Sequence, residues 1–132
     1  MPLDIQRHLQ NEDYAVGTQV RRVVWGVCEP LFRFCPAPFS GWRNFLLRRL
    51  GAKIGRGVRL HPSVKVMFPW NLAIADHVVV GREVTLYALA PIAIESNVLI
   101  SQGAHLCAGS HDYRQAHFPI AHAPIRVCSG TW

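Results

Sequence analysis

Hydrophobic residues recur at every sixth position from Ile54 onward, a period that fits neither an α-helix nor an ordinary β-strand. Nine consecutive members of this series are aliphatic: Ile54, Leu60, Val66, Ile74, Val80, Leu86, Ile94, Ile100 and Leu106. A second series follows four residues after each of them, and it is also mostly apolar: Val58, Val64, Trp70, Val78, Val84, Ala90, Val98, Ala104 and Ser110. In a chain that is half hydrophobic, the first series would arise by chance roughly once in several hundred trials.

The series falls into three groups that begin at residues 54, 74 and 94, so that each group holds three hexads and two further residues. One hexad predicts one short strand and a turn, and three hexads predict one triangular coil. Stacked coils bury a continuous apolar column, in which Ile54 lies under Ile74 and Ile74 under Ile94. Gly55 and Gly81 follow aliphatic residues, where we expect a tight turn to require glycine. The pattern predicts an all-β fold, a parallel β-solenoid over residues 54–132.

The first 53 residues lack this period and predict a separate helical, basic segment. We expect helices at about residues 18–34 and 40–50, separated by a break at Pro36 and Pro38. In the second helix, the apolar residues near helical spacing are Trp42, Phe45, Leu46 and Leu50, whereas Arg43, Arg48 and Arg49 are predicted to point elsewhere. This helix either packs on the body of the protein or lies at a membrane interface.

Charge is concentrated at the N-terminal end of the chain. Residues 1–59 hold ten of the fourteen lysines and arginines but four of the eight acidic residues, so this part carries the whole net charge of +6. A basic end on a neutral body predicts contact with an anionic surface, either membrane phospholipid or a phosphorylated ligand. Nucleic acid is not expected as a partner, because no RNA- or DNA-binding motif accompanies the charge.

The sequence predicts a cytoplasmic protein. Its first fifteen residues contain Asp4, Glu12 and Asp13 and lack the apolar run of a signal peptide. The four cysteines show no CxxC spacing and no dense framework, which is typical of reduced thiols. With the basic helical segment, this favours a peripheral position at the inner face of the membrane.

Five segments of the chain resemble one family, the hexapeptide-repeat acyltransferases, and within it the colanic-acid biosynthesis type of sugar O-acetyltransferase. They are FLLRRLGAKIG (45–55), HPSVKVMFPWNLAIAD (61–76), VTLYALAPIAI (84–94), ISQGAHLCAGSHDY (100–113) and HFPIAHAPIRV (117–127). The resemblance implies a left-handed parallel β-helix and a homotrimer with active sites between subunits. It also implies acetyl-CoA as co-substrate, and a sugar or lipid-linked saccharide acceptor used in extracellular polysaccharide biosynthesis.

The resemblance places the catalytic base on His111, in the segment SHD where the period of six ends. Acetyl transfer from a thioester requires a base that takes the proton of the attacking hydroxyl, and a histidine can do so near neutral pH. A serine or cysteine nucleophile is not required, since the hydroxyl attacks directly. Residues 112–123 are predicted to leave the coil as a loop, and residues 124–127 to re-enter it. Ser110 is predicted to fill a small inward position.

Four further residues are candidates for binding. Asp112 is expected to orient the imidazole or bind a sugar hydroxyl, and Tyr113 and Tyr87 are expected to stack on a sugar or bind its hydroxyls. Trp132 resembles a family tryptophan near the active site, and we assign it to binding the cofactor. No metal site is expected.

Two alternatives remain open. The spacing of His117 and His122, with His105 or His111 as a third ligand, is compatible with a zinc enzyme of the γ-carbonic-anhydrase type on the same architecture. Family members also continue beyond a tryptophan equivalent to Trp132 with several more coils. The chain therefore resembles a C-terminally truncated member, and it could act as an inactive assembly or membrane-associated subunit.

Overall fold

The computed structural model describes residues 4–10 and 14–132. Three helices open the chain: α1 (Ile5–Gln10), α2 (Val16–Arg33) and α3 (Ser40–Arg49). The two helices expected from the sequence are thus present within two residues of their predicted ends, and α1 is an addition to them. No helix in the described ranges is both long enough and apolar enough to cross a membrane.

Short strands, each of two or three residues, follow the helices, and all but β10 and β11 lie in stacked coils with a repeat of twenty residues. They are β1 (Lys53–Ile54), β2 (Arg59–Leu60), β3 (Lys65–Met67), β4 (Leu72–Ile74), β5 (Val79–Val80), β6 (Thr85–Tyr87), β7 (Ile92–Ile94), β8 (Leu99–Ile100), β9 (His105–Cys107), β10 (Gly109–His111), β11 (Ile120–His122) and β12 (Ile125–Val127). A short 3-10 helix, Pro69–Asn71, precedes β4.

Three parallel sheets form the faces of a triangular β-helix. The first face has the order β1-β4-β7-β12, the second β2-β5-β8 and the third β3-β6-β9. Ile54 pairs with Ile74 and Ile74 with Ile94, as the period of six predicts. The described part of the chain buries these side chains in one continuous core that also includes Leu60, Val66, Val80 and Leu86. The predicted solenoid is therefore confirmed.

The tight turns predicted at Gly55 and Gly81 are wrong, because neither glycine has a positive φ. The left-handed backbone conformation occurs at Gly57, His77 and Asn97, which occupy equivalent corners of the three coils with φ of 68°, 57° and 59°. Gly55 is instead required by close packing, because a Cβ there would lie 2.7 Å from the carbonyl carbon of Ala75. Glycine at this site lets one coil approach the next.

Side chains of α2 and α3 cap the first coil. Each coil donates its backbone N–H groups to carbonyls of the next, as Gly55 does to Ile74 at 2.7 Å. The carbonyls of the first coil therefore have no preceding coil to satisfy them. Four side chains donate to them instead: Arg48 Nε to Ile54 (2.9 Å), Asn44 Nδ2 to Val58 (2.9 Å), Arg43 Nε to Leu60 (2.9 Å) and Trp25 Nε1 to Val66 (2.8 Å). Capping of this kind closes the exposed edge of a solenoid.

This capping corrects the predicted packing face of α3. The helix buries Arg43, Asn44, Leu46 and Leu47, whereas Trp42 and Phe45 are exposed. Arg43 is completely buried. This burial is tolerated because its guanidinium donates hydrogen bonds to backbone carbonyls. Its Nη1 lies 3.0 Å from the oxygens of Cys35 and Pro36, and its Nη2 lies 2.7 Å from that of Ala37.

Candidate functional site

The regular coil ends in a β-hairpin that carries the SHD segment. Strand β10 pairs antiparallel with β11, and His111 lies opposite Ile120. The departure from the coil therefore begins at Gly109, three residues earlier than predicted, and Ser110 is exposed on the hairpin rather than turned inward. The return is as predicted, because Ile125–Val127 pairs with β7 on the first face. The hairpin thus leaves from the corner between the third face and the first.

The imidazole of His111 is held by Phe118 across this hairpin. Its Nδ1 lies 3.0 Å from the carbonyl oxygen of Phe118, and its ring stacks on the phenyl ring of that residue at 4.8 Å and 15°. A carbonyl oxygen can only accept a hydrogen bond, so Nδ1 carries the proton. In the neutral imidazole the lone pair is then on Nε2, the form that a general base needs.

His111 and Tyr87 line one small cavity of about 150 Å³. Its other lining residues are Tyr14, Leu89, Gly109, Ser110 and Ile120. Gly109 makes this arrangement possible, because a Cβ at that position would overlap the Tyr87 ring and lie 2.8 Å from Leu89 Cδ2. Burial raises the pKa of Tyr87, with a further contribution from Tyr14, so the phenol ionises even less readily than an exposed tyrosine.

Tyr14 is a residue of this cavity that the sequence did not indicate. It also lines an adjoining cavity of about 170 Å³, together with Tyr87, Phe68 and Trp70 among others. The guanidinium of Arg22 lies 4.7 Å from the centre of the Tyr14 ring. Tyr14 precedes α2 and belongs to no periodic pattern, so its sequence position carried no sign of this contact.

Asp112 organises the turn that follows His111. Its Oδ1 accepts a hydrogen bond from the amide of Arg114 (3.0 Å), and its Oδ2 accepts one from Nε2 of Gln115 (2.9 Å). The side chain of Gln115 and then the amide of Arg114 hold the pKa of this carboxyl below its ordinary value. The backbone N–H of Asp112 donates to Pro119 at 2.9 Å. The carboxylate therefore fixes the turn between His111 and Phe118.

Tyr113 and Trp132 lie away from the cavity. Tyr113 is exposed, and the guanidinium of Arg114 lies 5.8 Å from its ring centre. Trp132 is 95% exposed. The carbonyl of its neighbour Thr131 accepts a hydrogen bond from the amide of Leu99 (3.0 Å), so the chain end runs along the second face, opposite the corner that bears the hairpin. Their predicted roles in binding stay predictions.

The histidines of the zinc alternative do not come together. Within residues 4–10 and 14–132, no three side chains of His, Cys, Asp or Glu lie where they could share a metal ion. His122 pairs with Gly109 on the hairpin and is exposed, whereas His117 lies in the turn. The described part of the chain therefore offers no set of zinc ligands for an enzyme of the γ-carbonic-anhydrase type.

Two curated proteins are similar to this chain in sequence. Each is named "Putative colanic acid biosynthesis acetyltransferase WcaF", one from Escherichia coli (strain K12) and one from Shigella flexneri, and each is 44% identical to this chain over 108 residues. The matched part is 82% of this chain and 59% of each relative, so the chain spans about three fifths of the length of these relatives. No family model matches the chain.

Two solved structures share the fold. The hexapeptide-repeat-containing acetyltransferase VCA0836 from Vibrio cholerae matches with a TM-score of 0.75 and 23% identity, over 92% of this chain and 69% of that one. A maltose O-acetyltransferase from Clostridium difficile 630 matches with a TM-score of 0.73 and 14% identity, over 92% and 68%. The left-handed parallel β-helix and the resemblance to hexapeptide-repeat acetyltransferases, both predicted from the sequence, are confirmed.

Proposed function

We propose that this chain carries the base and part of the acceptor site of an acetyl-CoA-dependent O-acetyltransferase. The acceptor is a sugar hydroxyl, free or in a lipid-linked saccharide, and the product serves extracellular polysaccharide biosynthesis. The names of its relatives support acetyl transfer and polysaccharide biosynthesis. The observation that carries the chemical assignment is the contact between His111 Nδ1 and the carbonyl oxygen of Phe118.

That contact suits one step, removal of a proton from the acceptor hydroxyl. Nε2 of His111 takes this proton as the hydroxyl oxygen forms a bond to the carbonyl carbon of acetyl-CoA. The carbon–sulfur bond then breaks, and the imidazolium returns the proton to the departing thiolate. The Phe118 carbonyl stabilises the imidazolium that forms between these steps, because its oxygen accepts from the Nδ1–H throughout.

The cavity at His111 suits a sugar ring. Tyr87 and Tyr14 line it with aromatic rings that a sugar can contact, and the hydroxyl of Ser110 can bond to a sugar hydroxyl. Tyr87 is a neutral phenol at physiological pH, so its hydroxyl can both donate and accept hydrogen bonds. Arg22, stacked on Tyr14, supplies positive charge for an acceptor that carries a phosphate.

Three predictions from the sequence complete this proposal. The active sites lie between the subunits of a homotrimer, which brings residues of a neighbouring chain to the hairpin. Trp132 contributes to binding acetyl-CoA, and Asp112 and Tyr113 contribute to acceptor binding from the turn. The protein acts in the cytoplasm, at the inner face of the membrane.

An inactive β-helix that serves as an assembly subunit is the competing proposal. The two differ in one assay, release of thiol from acetyl-CoA in the presence of a panel of sugar acceptors. We expect acceptor-dependent turnover that falls by a factor of about 10² to 10⁴ in His111→Ala, the range typical of a lost general base. His122→Ala changes an exposed histidine of the same hairpin and should leave turnover intact. A well-folded protein that shows no turnover with any acceptor would favour the subunit.

A further inference from the structure

Helix α2 presents a continuous apolar face to solvent. Its members recur at helical spacing, they lie opposite the buried Trp25 and Phe32, and all are exposed: Val16, Val20, Val23, Val24, Val27, Leu31 and, at the C-cap, Phe34. We call these residues the outer face of α2. Val23 is 68% exposed and Val27 is 72% exposed. Phe39, Trp42 and Phe45 are also exposed and follow this helix in the chain. Contiguous apolar surface of this kind marks an interaction site.

A basic groove adjoins the outer face. The groove has a volume of about 420 Å³, and Val20, Val24 and Leu50 are its aliphatic lining. Its other lining residues are Arg21, Arg49, Gly51 and Trp70. Both arginines are exposed, and Arg21 lies 5.8 Å from the centre of the Trp70 ring. In the described ranges, neither arginine forms an ion pair with a carboxylate. Cations beside exposed aliphatic side chains match the layered chemistry of a lipid headgroup and its acyl chain.

The charges of the chain argue against a second copy as the partner of this groove. A self-association would need carboxylates to meet Arg21 and Arg49. Most acidic side chains that the structure describes are already engaged: Glu29 with Arg33, Asp76 with Arg56, Glu95 with Arg126, Asp4 with the amide of Arg7, and Asp112 in its own turn. Within the same ranges, Glu83 is left for an ion pair. The positive charge is therefore matched better by an anionic surface outside the protein.

We infer that the outer face of α2 and the Arg21–Arg49 groove dock the protein on an anionic phospholipid bilayer. The valines and Phe34 enter the region between headgroups and acyl chains, and the arginines contact lipid phosphates. The sequence left two positions open for the helix at residues 40–50, packed on the body of the protein or at a membrane interface. In the structure, α3 packs against the first coil and buries Arg43, Asn44, Leu46 and Leu47. The apolar face that is exposed belongs to α2 instead. This inference rests on the membrane position in the proposed function, to which it assigns named residues, and it needs no catalytic step.

Vesicle co-sedimentation of the whole chain tests the inference. We expect binding to vesicles of phosphatidylcholine mixed with phosphatidylglycerol, and little binding to phosphatidylcholine alone. The double variant Val23→Asp/Val27→Asp should lower the partition coefficient by about tenfold or more, because a charge at each site must enter the interface. The matched control Val79→Asp/Leu99→Asp makes the same charge change at side chains that are 41% and 47% exposed on the second face of the β-helix. This control should still bind.

A second pair of variants tests the groove without touching the apolar face. Arg49→Gln should lower binding to the anionic vesicles by about fivefold, the effect of one basic residue at an anionic surface. Arg82→Gln removes the same charge at an exposed corner of the second coil and should have a much smaller effect. Circular dichroism confirms that each variant is folded.

Three outcomes would overturn the inference. One is wild-type protein that does not bind the anionic vesicles. Another is equal loss of binding in the two double variants, which would mean that net charge alone governs the attraction. In the third, the wild type does not bind vesicles, and sedimentation velocity shows that Val23→Asp/Val27→Asp dissociates an oligomer. That result would assign the outer face of α2 to a contact between subunits. None of these assays contains an acetyl donor, so the result is independent of the transferase activity tested through His111.

Discussion

Two contacts join His111 to Phe118: ring stacking at 4.8 Å and 15°, and the 3.0 Å approach of His111 Nδ1 to the Phe118 carbonyl oxygen. Phe118 itself has a φ of 51°, in the left-handed region that costs energy for a bulky residue. The hairpin therefore maintains an unfavourable backbone conformation at the residue that positions the imidazole.

The stacking half of this relationship can be removed while the carbonyl is kept. We expect Phe118→Leu to lower kcat for acetyl transfer by about threefold to tenfold, because an aromatic pair contributes about 1 kcal/mol to holding the ring. The KM for the acceptor should change little. Steady-state kinetics and thermal unfolding of both proteins measure this.

Phe118→Gly serves as the companion variant. It removes the same ring but adopts a positive φ without strain. Its activity should fall as in Phe118→Leu, whereas its thermal stability should be equal to or above that of Phe118→Leu. Full kcat in both variants would show that the ring of Phe118 does not position His111.

A methyl group at residue 109 is expected to disrupt the site. In Gly109→Ala the new Cβ would overlap the Tyr87 ring and crowd Leu89, so the hairpin must shift away from the coil. Overpacking of this kind costs about 1 to 3 kcal/mol of unfolding free energy. We also expect acetyl transfer to fall more than the loss of stability explains, because His111 moves relative to Tyr87. Denaturant unfolding and kinetics on the same sample separate the two effects.

Gly41→Ala is the control for this change. A Cβ at Gly41 meets no atom within 4 Å, and the residue lies inside α3, where alanine is the better helix former. Stability should stay the same or rise, with activity unchanged. Equal behaviour of the two alanine variants would show that the tight approach at Gly109 does not matter.

Much of the fold follows from a pattern of single positions. Ile54, Ile74 and Ile94 are aliphatic because their side chains stack in the same core column. The period of six can therefore be recognised from this position even though the other positions of the hexad vary. The corner residues Gly57, His77 and Asn97 were not predictable by this route. They share a backbone conformation rather than a side-chain type, so composition does not reveal them.

The helical cap and the cavity were harder to predict, for a different reason. Hydropathy treats Arg43 as a surface residue, yet the first coil has carbonyls without a preceding coil, and only donors can satisfy them. His111 was assigned through a resemblance and Tyr87 as a candidate for sugar binding; both line one cavity, and their roles stay predictions. Tyr14 was missed because its contact depends on the path of the chain before α2, which no local pattern specifies.

The turn after His111 is expected to be sensitive to acid. Hydrogen bonds from the side chain of Gln115 and the amide of Arg114 lower the pKa of Asp112 in the folded protein. The ionised Asp112 carboxylate therefore stabilises the folded protein fully above the pKa of about 3.9 that an aspartate has in the unfolded chain. This stabilisation is lost as the pH falls through the lower pKa of Asp112 in the folded protein. The turn should stay formed throughout the neutral range and loosen only in acid.

Nuclear magnetic resonance can follow this loss. The amide shift of Arg114 should titrate with the Asp112 carboxyl, at a midpoint below the value for an ordinary aspartate. In Asp112→Asn that titration should disappear, because the amide side chain does not ionise. A midpoint at the ordinary value would mean that the hydrogen bonds from Gln115 and Arg114 do not favour the ionised carboxylate.

Replacement of Arg43 should be the most destabilising of the substitutions proposed here. Its guanidinium donates to the carbonyls of Leu60, Cys35, Pro36 and Ala37, and it is completely buried. Burial lowers its pKa, but an arginine remains charged at neutral pH. Arg43→Met leaves these acceptors without their donor, so we expect a loss of about 3 to 5 kcal/mol in the free energy of unfolding.

Two further variants show whether donors or charge matter at this position. Arg43→Lys keeps the charge but offers fewer donors in a different geometry, so it should recover only part of the loss. Arg59→Met removes an exposed arginine from β2 and should change stability by less than about 0.5 kcal/mol. Urea denaturation measures the free energy of unfolding of all three variants, which can be compared if their m-values are equal. If Arg43→Met were no more costly than Arg59→Met, the first coil would not depend on this arginine for its cap, and the helices would be held by Trp25, Leu46 and Leu47 instead.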